Sequence, residues 1–403
     1  MAVPDFVTMP LTQKACIIER ELKARHCYQG LVLPQVILAP KGRQDYLSGN
    51  FENCATWSGM YLAGQVWRWR LTGDPAAKRS ADETLDALLF LETVTGHPGY
   101  VARGYKPAPG PSPDEEMFPI AAWHQSGPYR WLGDVSKDQA AGGKLFGFCT
   151  YYELMDDAAR KRLIAESVGR CFTRVVEDGM RIVDIASGDY RVLYAQHSGE
   201  LEFAVQALFA MKAAHHITGA DLFEAKYRDL LRQGYHQITV EGAARKNNHG
   251  PGYGGLHHAD THLAFKGLYY LLKYEADPAV RRYYRRSVER NFGAVQTERN
   301  AFYCFVYHSA FDDCGDDEGA IQSLHEIPVD RVVRPVKNSH RTDFDPTYPL
   351  PVYERPASEW YWSEDAYALD GHEDADGSQE HSTADFLTGY WMGRYHGFIE
   401  AEE

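Results

Sequence analysis

Stretches with apolar residues at helical spacing recur in pairs along the chain, and a short polar turn separates the members of each pair. In the clearest pair, Thr72-Gly73-Asp74-Pro75 separates a helix at 54–71 from one at about 76–95. Similar breaks occur at 155–157, 218–221 and 275–278. Because a helical hairpin buries its apolar face only against neighbouring hairpins, this repetition predicts a closed ring or an open solenoid.

The remaining segments fit the same pattern of hairpins. Helices are predicted over about 138–155, 158–178, 198–217, 221–239, 259–275, 278–296, 299–311 and 382–398. Strand signals are confined to Leu31–Leu38 and a hairpin-like stretch at Ile182–Leu193, and residues 312–380 are irregular. Since the long insertions fall on one side of the hairpins, we expect an all-α (α/α)6 toroid with long irregular loops on one face. An irregular helical globule is the alternative.

The bulk composition excludes several classes of partner. With 42 basic against 56 acidic residues, the chain carries a net charge of −14 at pH 7, which argues against nucleic acid and anionic membrane surfaces as partners. The sequence has no apolar run of about 18 residues that would predict a membrane span. It starts without a basic and apolar leader, so we expect a cytoplasmic protein. A homo-oligomer is compatible with this composition.

The cysteines give no sign of a disulfide framework or a zinc site. Seven cysteines are present, an odd number, and none forms a CxxC pair. Three of them, Cys54, Cys149 and Cys171, lie within predicted helices. We therefore expect reduced thiols, with neither a metal nor a cofactor.

Polar residues are concentrated at the start of every second predicted helix. The five clusters are Asn53/Thr56/Trp57, Asp134/Ser136/Asp138/Gln139, Gln196/His197/Glu200, His257/His258/Asp260/His262 and Glu380/His381/Thr383/Asp385. If alternate helices run parallel around a ring, the clusters meet at one rim. The sequence thus predicts a functional site at that rim.

Three stretches resemble the six-hairpin (α/α)6-barrel glycosidase-like superfamily. They are WSGMYLAGQVWRWRLTGDP, GDVSKDQAAGGKLFGFCTYYELMDD and TADFLTGYWMGRYHGFI. Members of that superfamily include glycoside hydrolases, polysaccharide lyases and some proteins outside sugar chemistry, so the resemblance implies the fold more than the reaction. It covers most of residues 50–400, and we expect a catalytic barrel at 51–403 after a lead-in segment at 1–50.

Acidic side chains of the second cluster suit general acid–base catalysis. Asp134 and Asp138 stand one helical turn apart and are candidates for the acid and the base of glycoside hydrolysis. Carboxylates spaced in this way point in the same direction, however, so Glu200 or Asp260 is a better opposing partner. A structural alternative places Asp134 or Ser136 at the helix N-cap and Asp138 in its first turn.

The loop that opens at Arg245 contains an Asn-Asn-His run before a glycine-rich stretch. This run resembles the neutraliser and base of alginate-lyase-type toroid lyases. The resemblance implies that Asn248 neutralises a uronate carboxylate, His249 removes the C5 proton and Tyr253 protonates the leaving oxygen. Here a Gly-Pro-Gly insertion separates the run from its helix, unlike in those lyases, and a polar surface loop is the alternative.

Histidines are densest between His257 and His262. His258 and His262 are four residues apart, a spacing that can chelate a metal together with Asp260, but the HExxH signature of a zinc protease is missing. We expect His257, His258 and Asp260, together with His197 of the third cluster, to transfer protons or to bind substrate.

Further polar and aromatic residues are predicted to contact the substrate. This set consists of Asn53, Trp57, His124, Gln139, Glu200, Asn248, His262, Trp360, Trp362 and His381. The tryptophans of the Glu359–Asp365 stretch form either a sugar platform that closes the cleft or a packed cap.

Together these features predict a carbohydrate-active enzyme that cleaves a glycosidic bond. Helix N-termini converging on a rim favour an anionic ligand, and His and Tyr are abundant there, so β-elimination on a small uronate-containing oligosaccharide is narrowly favoured. Hydrolysis by paired carboxylates is the first alternative. A hydratase, dehydratase or isomerase acting on a small non-sugar molecule, and a non-catalytic glycan-binding protein, are the others.

Overall fold

The computed structural model describes residues 4–39, 42–108, 123–185, 190–193, 199–247, 255–311 and 317–401. Thirteen α-helices lie in these ranges. They are α1 (Leu11–Arg25), α2 (Cys54–Thr72), α3 (Pro75–Thr93), α4 (Phe146–Leu154), α5 (Ala158–Glu177), α6 (Leu201–Thr218), α7 (Asp221–Arg232), α8 (Tyr235–Glu241), α9 (His258–Tyr274), α10 (Pro278–Val295), α11 (Ala301–Ala310), α12 (Asp317–Glu326) and α13 (Ala384–His396). A π-helical segment, Asp138–Leu145, leads directly into α4.

The helices form a closed double ring. Six inner helices, α2, α4, α6, α9, α11 and α13, contact one another in this order, and α13 packs on α2 to close the ring. The outer helices α1, α3, α5, α7 with α8, α10 and α12 pack against them. The predicted all-α (α/α)6 toroid is therefore confirmed.

Inner and outer helices differ in how much of their circumference is buried. Every residue of α2 from Cys54 to Trp67 is buried, because this helix has neighbours on all sides. Helix α5 buries a single stripe and carries charged residues on its other face, as is typical of a helix with one side in water. Of the helices that the structure describes, none combines the length and the apolar character needed to cross a lipid bilayer.

Glycines let the start of α4 approach α2 closely. A Cβ at Gly143 would lie 2.2 Å from Thr56 Cα, and a Cβ at Gly59 would lie 2.0 Å from the Gly143 carbonyl oxygen. Since not even alanine fits at either position, the two backbones are in direct contact. This contact brings the first turn of α2 next to the π-helical segment, and π-helical turns are frequent at functional sites.

Short antiparallel strands join segments outside the ring. In one sheet, β3 (Gln35–Ala39) lies between β4 (Gly42–Gly49) and β12 (Gln379–His381), the strand that leads into α13. A second sheet has the order β5 (Tyr105–Pro107), β7 (Tyr129–Leu132), β6 (Trp123–Ser126). The two-stranded pairs are β1 (Cys27–Tyr28) with β2 (Leu31–Val32), β8 (Arg181–Val183) with β9 (Tyr190–Leu193), and β10 (Val336–Lys337) with β11 (Asp370–Gly371).

Two outer helices lie outside the ranges predicted to be helical, and the prediction of an irregular 312–380 region is wrong at one of them. Helix α1 falls within the 1–50 lead-in and α12 within the irregular 312–380 region. Helix α12 has 10 residues and starts in an acidic run, so its apolar periodicity is too short to detect. The two helices are joined, because the buried Lys14 Nζ of α1 donates to the carbonyl oxygens of Leu324 and His325 at 3.0 and 2.7 Å.

Candidate functional site

The described members of the predicted clusters lie at the N-terminal ends of inner helices. Asn53 precedes α2, Asp138 begins the π-helical segment, Glu200 precedes α6, His257 caps α9 and Thr383 precedes α13. Contacts among these helix ends define the candidate site.

Hydrogen bonds join the first turn of α2 to the π-helical segment. The Gln139 side chain donates to Asn53 Oδ1 at 3.1 Å. The Thr56 hydroxyl donates to the Asp138 carbonyl oxygen at 3.0 Å and lies 3.3 Å from Gln139 Oε1. Three predicted site residues, Asn53, Asp138 and Gln139, are therefore brought together.

Charged side chains lie between the starts of α4 and α9. Lys137 Nζ lies 2.8 Å from Asp260 Oδ1 and 3.2 Å from Asp138 Oδ1. At the other carboxylate oxygen of Asp260, Arg245 Nη1 donates at 2.5 Å and His257 Nδ1 lies at 3.1 Å. We refer to Lys137, Asp138, Arg245, His257 and Asp260 as the rim cluster.

The rim cluster keeps Asp260 ionised and leaves Asp138 accessible. Burial would raise the pKa of Asp260, but Lys137, His257 and Arg245 together lower this pKa well below its usual range. The Asp138 side chain is 38% exposed, whereas Asp260 is buried. Of these two carboxylates, Asp138 is thus the one that a ligand can reach.

A further carboxyl group, which the sequence analysis overlooked, lies next to the rim cluster. Glu202 of α6 is buried, and both of its carboxylate oxygens accept from the Arg245 backbone N–H at 3.1 Å. Burial raises the pKa of Glu202 to about 7. The neighbouring Phe203 ring lies 4.8 Å from Lys137 Nζ, a cation–π contact that helps to hold the lysine.

Residues 355–366, which we name the cap segment, pack two tryptophans against the inner helices. The Trp360 ring stacks on Trp57, with centroids 4.7 Å apart and planes at 8°, and it lies 6.2 Å from the His262 ring. Trp362 Nε1 donates to the Asp385 carbonyl oxygen at 2.7 Å. Both indoles are buried. Their arrangement is that of a packed cap and not that of an open sugar platform.

The histidines of the fourth cluster have different partners. His258 Nε2 lies 2.9 Å from Glu298 Oε1, whereas the His262 ring packs 4.9 Å from the Phe302 ring. Burial lowers the pKa of His262 well below its usual value, so its imidazole is neutral. In the part of the chain that the structure describes, no three His, Cys, Asp or Glu side chains are grouped as metal ligands.

The cap segment lines a cavity of about 510 Å³, which we name the cap cavity. Its walls include Glu359 and Glu364 of the cap segment, together with Asp370, His372 and the predicted site residue His381. A cavity of this volume falls within the range of small-molecule binding sites.

Both glutamates of the cap cavity have raised pKa values. Burial and the charge of Glu52 raise the pKa of Glu359 to about 7. Burial and the charge of Glu359 raise the pKa of Glu364 to about 7 as well. Asn50 Nδ2 donates to Glu359 Oε1 at 3.3 Å and ties this glutamate to the residues before α2. Near neutral pH, each carboxyl is therefore present in protonated and ionised forms.

Similarity to known proteins is confined to the fold. No protein-family model matches the sequence, and no curated protein matches it. A family 76 glycoside hydrolase from a bovine Bacteroides thetaiotaomicron strain has a TM-score of 0.51 and 9% identity, over 97% of this chain and 79% of that one. A metagenome-derived family 9 endoglucanase has a TM-score of 0.51 and 10% identity, over 96% and 81%. The fold is that of the (α/α)6-barrel glycosidase-like enzymes.

The fold implied by the resemblance to the (α/α)6-barrel glycosidase-like superfamily is thereby confirmed. A family 88 glycosyl hydrolase from Bacteroides vulgatus also aligns over 96% of this chain and 98% of its own, with 10% identity and a TM-score of 0.49. The two structures with a TM-score of 0.51 share the (α/α)6-barrel architecture with this chain, and at 9% and 10% identity no catalytic residue can be transferred from either of them.

Three predicted residues make contacts outside the rim cluster. His124 of β6 stacks on Trp131 at 4.2 Å. The Asp134 carbonyl oxygen accepts from Arg103 Nε at 2.6 Å, and Glu200 forms a backbone bridge to the segment that follows α8. The predicted residues that lie outside the described ranges are Gln196, His197, Asn248, His249 and Tyr253.

Sequence reasoning missed the groups whose chemistry depends on burial. Glu359 and Glu364 stand in the stretch that was expected to act as an aromatic platform, and no local pattern shows that the fold would raise their pKa values. Lys137 could have been identified as a site residue, because it stands directly before Asp138, a candidate catalytic carboxylate.

Proposed function

We propose that this protein is a carbohydrate-active enzyme that hydrolyses a glycosidic bond at the cap cavity. The proposal is carried by Glu359 and Glu364, which line one cavity and have pKa values raised to about 7. Pairs of carboxyl groups with environment-shifted pKa values supply the acid and the base of most glycosidases. The (α/α)6 barrel is compatible with this activity but does not specify it.

The two glutamates take complementary roles in this mechanism. Asn50 donates to Glu359 and favours its ionised form, whereas Glu364 lies beside the Glu359 charge, which favours its protonated form. Glu364 is therefore assigned as the general acid, which protonates the glycosidic oxygen as the bond to the anomeric carbon breaks. Glu359 activates a water molecule or attacks the anomeric carbon itself.

The rim cluster and its neighbours are proposed to bind the sugar. Asp138 is accessible, and Asn53 lies at the neighbouring helix end, where the buried Gln139 amide donates to its Oδ1. His257 is 28% exposed beside them in the rim cluster. Amide, carboxylate and imidazole groups of this kind hydrogen-bond sugar hydroxyls in either donor or acceptor roles.

β-Elimination on a uronate-containing oligosaccharide is the second candidate. One contact favours it: Arg245, which opens the loop carrying Asn248, His249 and Tyr253, is held in the rim cluster by Asp260. Arg245 and His257, which precede and follow these residues in the sequence, both belong to the rim cluster. In this reaction His249 removes the C5 proton and Tyr253 protonates the leaving oxygen.

The cleavage products distinguish the two reactions. Purified protein is incubated with neutral, amino-sugar and uronate-containing oligosaccharides, and new reducing ends and far-ultraviolet absorbance are followed together. Hydrolysis yields reducing ends alone, whereas elimination adds the absorbance of a C4–C5 double bond. We expect hydrolysis, and we expect Glu359→Gln and Glu364→Gln each to lower turnover by about 100-fold or more.

A matched control separates catalysis from a general effect of charge. Glu289→Gln changes an exposed carboxyl on the outer helix α10 and should keep wild-type turnover. Absorbance that is lost in His249→Ala would establish elimination instead. Wild-type turnover in both cap-cavity variants would reject this cavity as the hydrolytic site, and silence across the whole panel would favour chemistry on a small non-sugar molecule.

A further inference from the structure

A second cavity adjoins the cap cavity. It has a volume of about 400 Å³ and is lined by Val333 and residues 372–379, and we name it the outer cavity. His372 belongs to the walls of both cavities, and its ring Nε2 contacts the Ala357 carbonyl oxygen of the cap segment. A saccharide bound in the cap cavity can therefore extend past His372 into the outer cavity.

The walls of the two cavities carry an excess of carboxyl groups. The acidic side chains are Glu359, Glu364, Asp365, Asp370, Glu373, Asp374 and Asp376. Among the described wall residues, Arg355 is the one arginine, and there is no lysine. Arg334 and Arg341 pair with other carboxylates, whereas Lys337 lies opposite Asp370 and Arg331 acts on both Glu359 and Glu364. The negative charge of the walls is therefore concentrated on Glu373, Asp374 and Asp376 of the outer cavity, which form no ion pair with a described residue.

A buried histidine marks the cap cavity as a place for a ligand. His381 is 5% exposed and lines the cavity, and its Nδ1 has no hydrogen-bond partner among the described residues. A buried polar atom without a partner is costly unless a water or a ligand satisfies it. Burial lowers the pKa of His381 well below its usual value, so a neutral imidazole faces the cavity. A sugar hydroxyl or amino group is a suitable partner for it.

We propose that the cap and outer cavities bind an oligosaccharide of amino sugars, whose rings carry ammonium groups. The proposal rests on the hydrolytic function proposed above and names its substrate class. Ammonium groups along such a chain pair with the exposed Glu373, Asp374 and Asp376, and the same carboxylates repel uronates. Because carboxyls outnumber cations in these walls, a cationic saccharide fits them better than the anionic one expected from the sequence.

The test compares two saccharides with the same sugar backbone, one with charged amino groups and one with neutral acetamido groups. A β-1,4-linked glucosamine tetramer and its fully N-acetylated counterpart are titrated calorimetrically into the full chain at mildly acidic pH, where the amino groups are protonated. We expect the amine form to bind about tenfold more tightly at low salt and less than about threefold more tightly in concentrated salt, which screens exposed charges. Equal affinities, or tighter binding of a uronate tetramer, would overturn the proposal.

Two exposed carboxylates of the outer cavity allow its charge to be reduced without changing the acid–base pair. Asp374→Asn/Asp376→Asn should weaken binding of the glucosamine tetramer about tenfold at low salt and leave binding of the acetylated tetramer unchanged. The matched control, Asp156→Asn/Glu166→Gln, removes two exposed carboxylates elsewhere and should change neither affinity. An equal loss in the control would assign the effect to net charge and overturn the proposal.

Cleavage assays test the hydrolytic function and the amino-sugar proposal independently of each other. If neutral oligosaccharides are cleaved but the amine form is not preferred, the hydrolytic function stands and the amino-sugar proposal falls. If the amine form is preferred in binding but no saccharide is cleaved, the hydrolytic function falls, and the cavities are a binding site for amino sugars. A linear polyamine that competes as well as the tetramer would overturn the proposal, because charge alone would then explain the binding.

Discussion

The Arg331 guanidinium lies 2.9 Å from both carboxylate oxygens of Asp385, and neither side chain has any exposed area. Asp385 also accepts the backbone N–H of Tyr361 at 2.8 Å, and its carbonyl oxygen accepts the Trp362 indole N–H at 2.7 Å. The pair therefore fastens the cap segment to the first turn of α13. The positions of the two cap-cavity glutamates depend on this attachment.

Removing one partner of this pair should destabilise the fold strongly. Asp385→Asn leaves the Arg331 charge buried without its counter-ion, so we expect the free energy of unfolding to fall by about 3–5 kcal/mol in urea titrations. An exposed pair provides the control, since Arg228 and Glu224 lie 2.7 Å apart with 69% and 24% of their side chains exposed. Glu224→Gln should cost less than about 1 kcal/mol. Similar losses for both variants would contradict the anchoring role.

The raised pKa values of the cap-cavity glutamates predict how hydrolysis depends on pH. With Glu364 as the general acid, the reactive form is protonated, and its fraction falls as the pH rises through about 7. The value of kcat/KM should therefore decline above about pH 7, by up to tenfold per pH unit. Residual turnover of Glu364→Gln should lack this alkaline decline. An unchanged alkaline limb in that variant would place the acid on another residue.

The lowered pKa of Asp260 predicts that the folded protein loses stability in acid. Burial would raise the pKa of Asp260 in the folded state, but Lys137 and the other cations of the rim cluster lower this pKa. The ionised carboxylate therefore stabilises the fold above its unfolded pKa of about 4, and this stabilisation is lost as the pH falls below that value. Asp260→Asn should cost about 2–4 kcal/mol at neutral pH and less at about pH 3. Urea unfolding at the two pH values tests this, and a constant cost would refute it.

The lowered pKa of Lys266 predicts that the stability of the fold rises at alkaline pH. Its Nζ is fully buried in α9 without a hydrogen-bond partner among the described residues, and burial lowers its pKa from 10.5 to about 7. The unfolded state binds this proton more tightly, so the lysine destabilises the fold most below about pH 7 and progressively less toward about pH 10. Lys266→Met should stabilise the protein by a few kcal/mol at about pH 6 and by much less at about pH 10.

A paired lysine serves as the control for this substitution. Lys212 Nζ lies 3.3 Å from the buried Glu275 carboxylate, so Lys212→Met removes a favourable contact and should destabilise the fold. Thermal or urea unfolding of both variants across the pH range makes the comparison. If Lys266→Met is destabilising at mildly acidic pH, the charge of this lysine is compensated in the folded state.

The helical hairpins could be predicted because their signals are local. The break at Thr72-Gly73-Asp74-Pro75 coincides with the end of α2 and the start of α3, where the Asp74 carboxylate accepts the Ala76 backbone N–H at 2.8 Å. Apolar spacing and helix breakers act over a few residues, so a single sequence contains them in full. The polar starts of the inner helices follow from the same local pattern.

The candidate site was predictable only in part. His257 and Asp260 stand close together in the sequence, but Lys137, which pairs with Asp260, comes from another inner helix. Trp360 was expected to contact a sugar, yet its ring stacks on Trp57 at the other end of the chain. The acidity of the cap-cavity glutamates likewise depends on tertiary burial, which no local pattern encodes.

The ring closes between helices that are far apart along the chain. Helix α1 packs on α13, and Arg25 Nε of α1 donates to the buried Glu380 carboxylate at 2.6 Å, just ahead of α13. A ribosome releases α1 long before it has made α13, so the part of α1 that packs on α13 stays uncovered for most of the time of synthesis. The yield of folded protein should therefore depend on what shields this helix from aggregation during that interval.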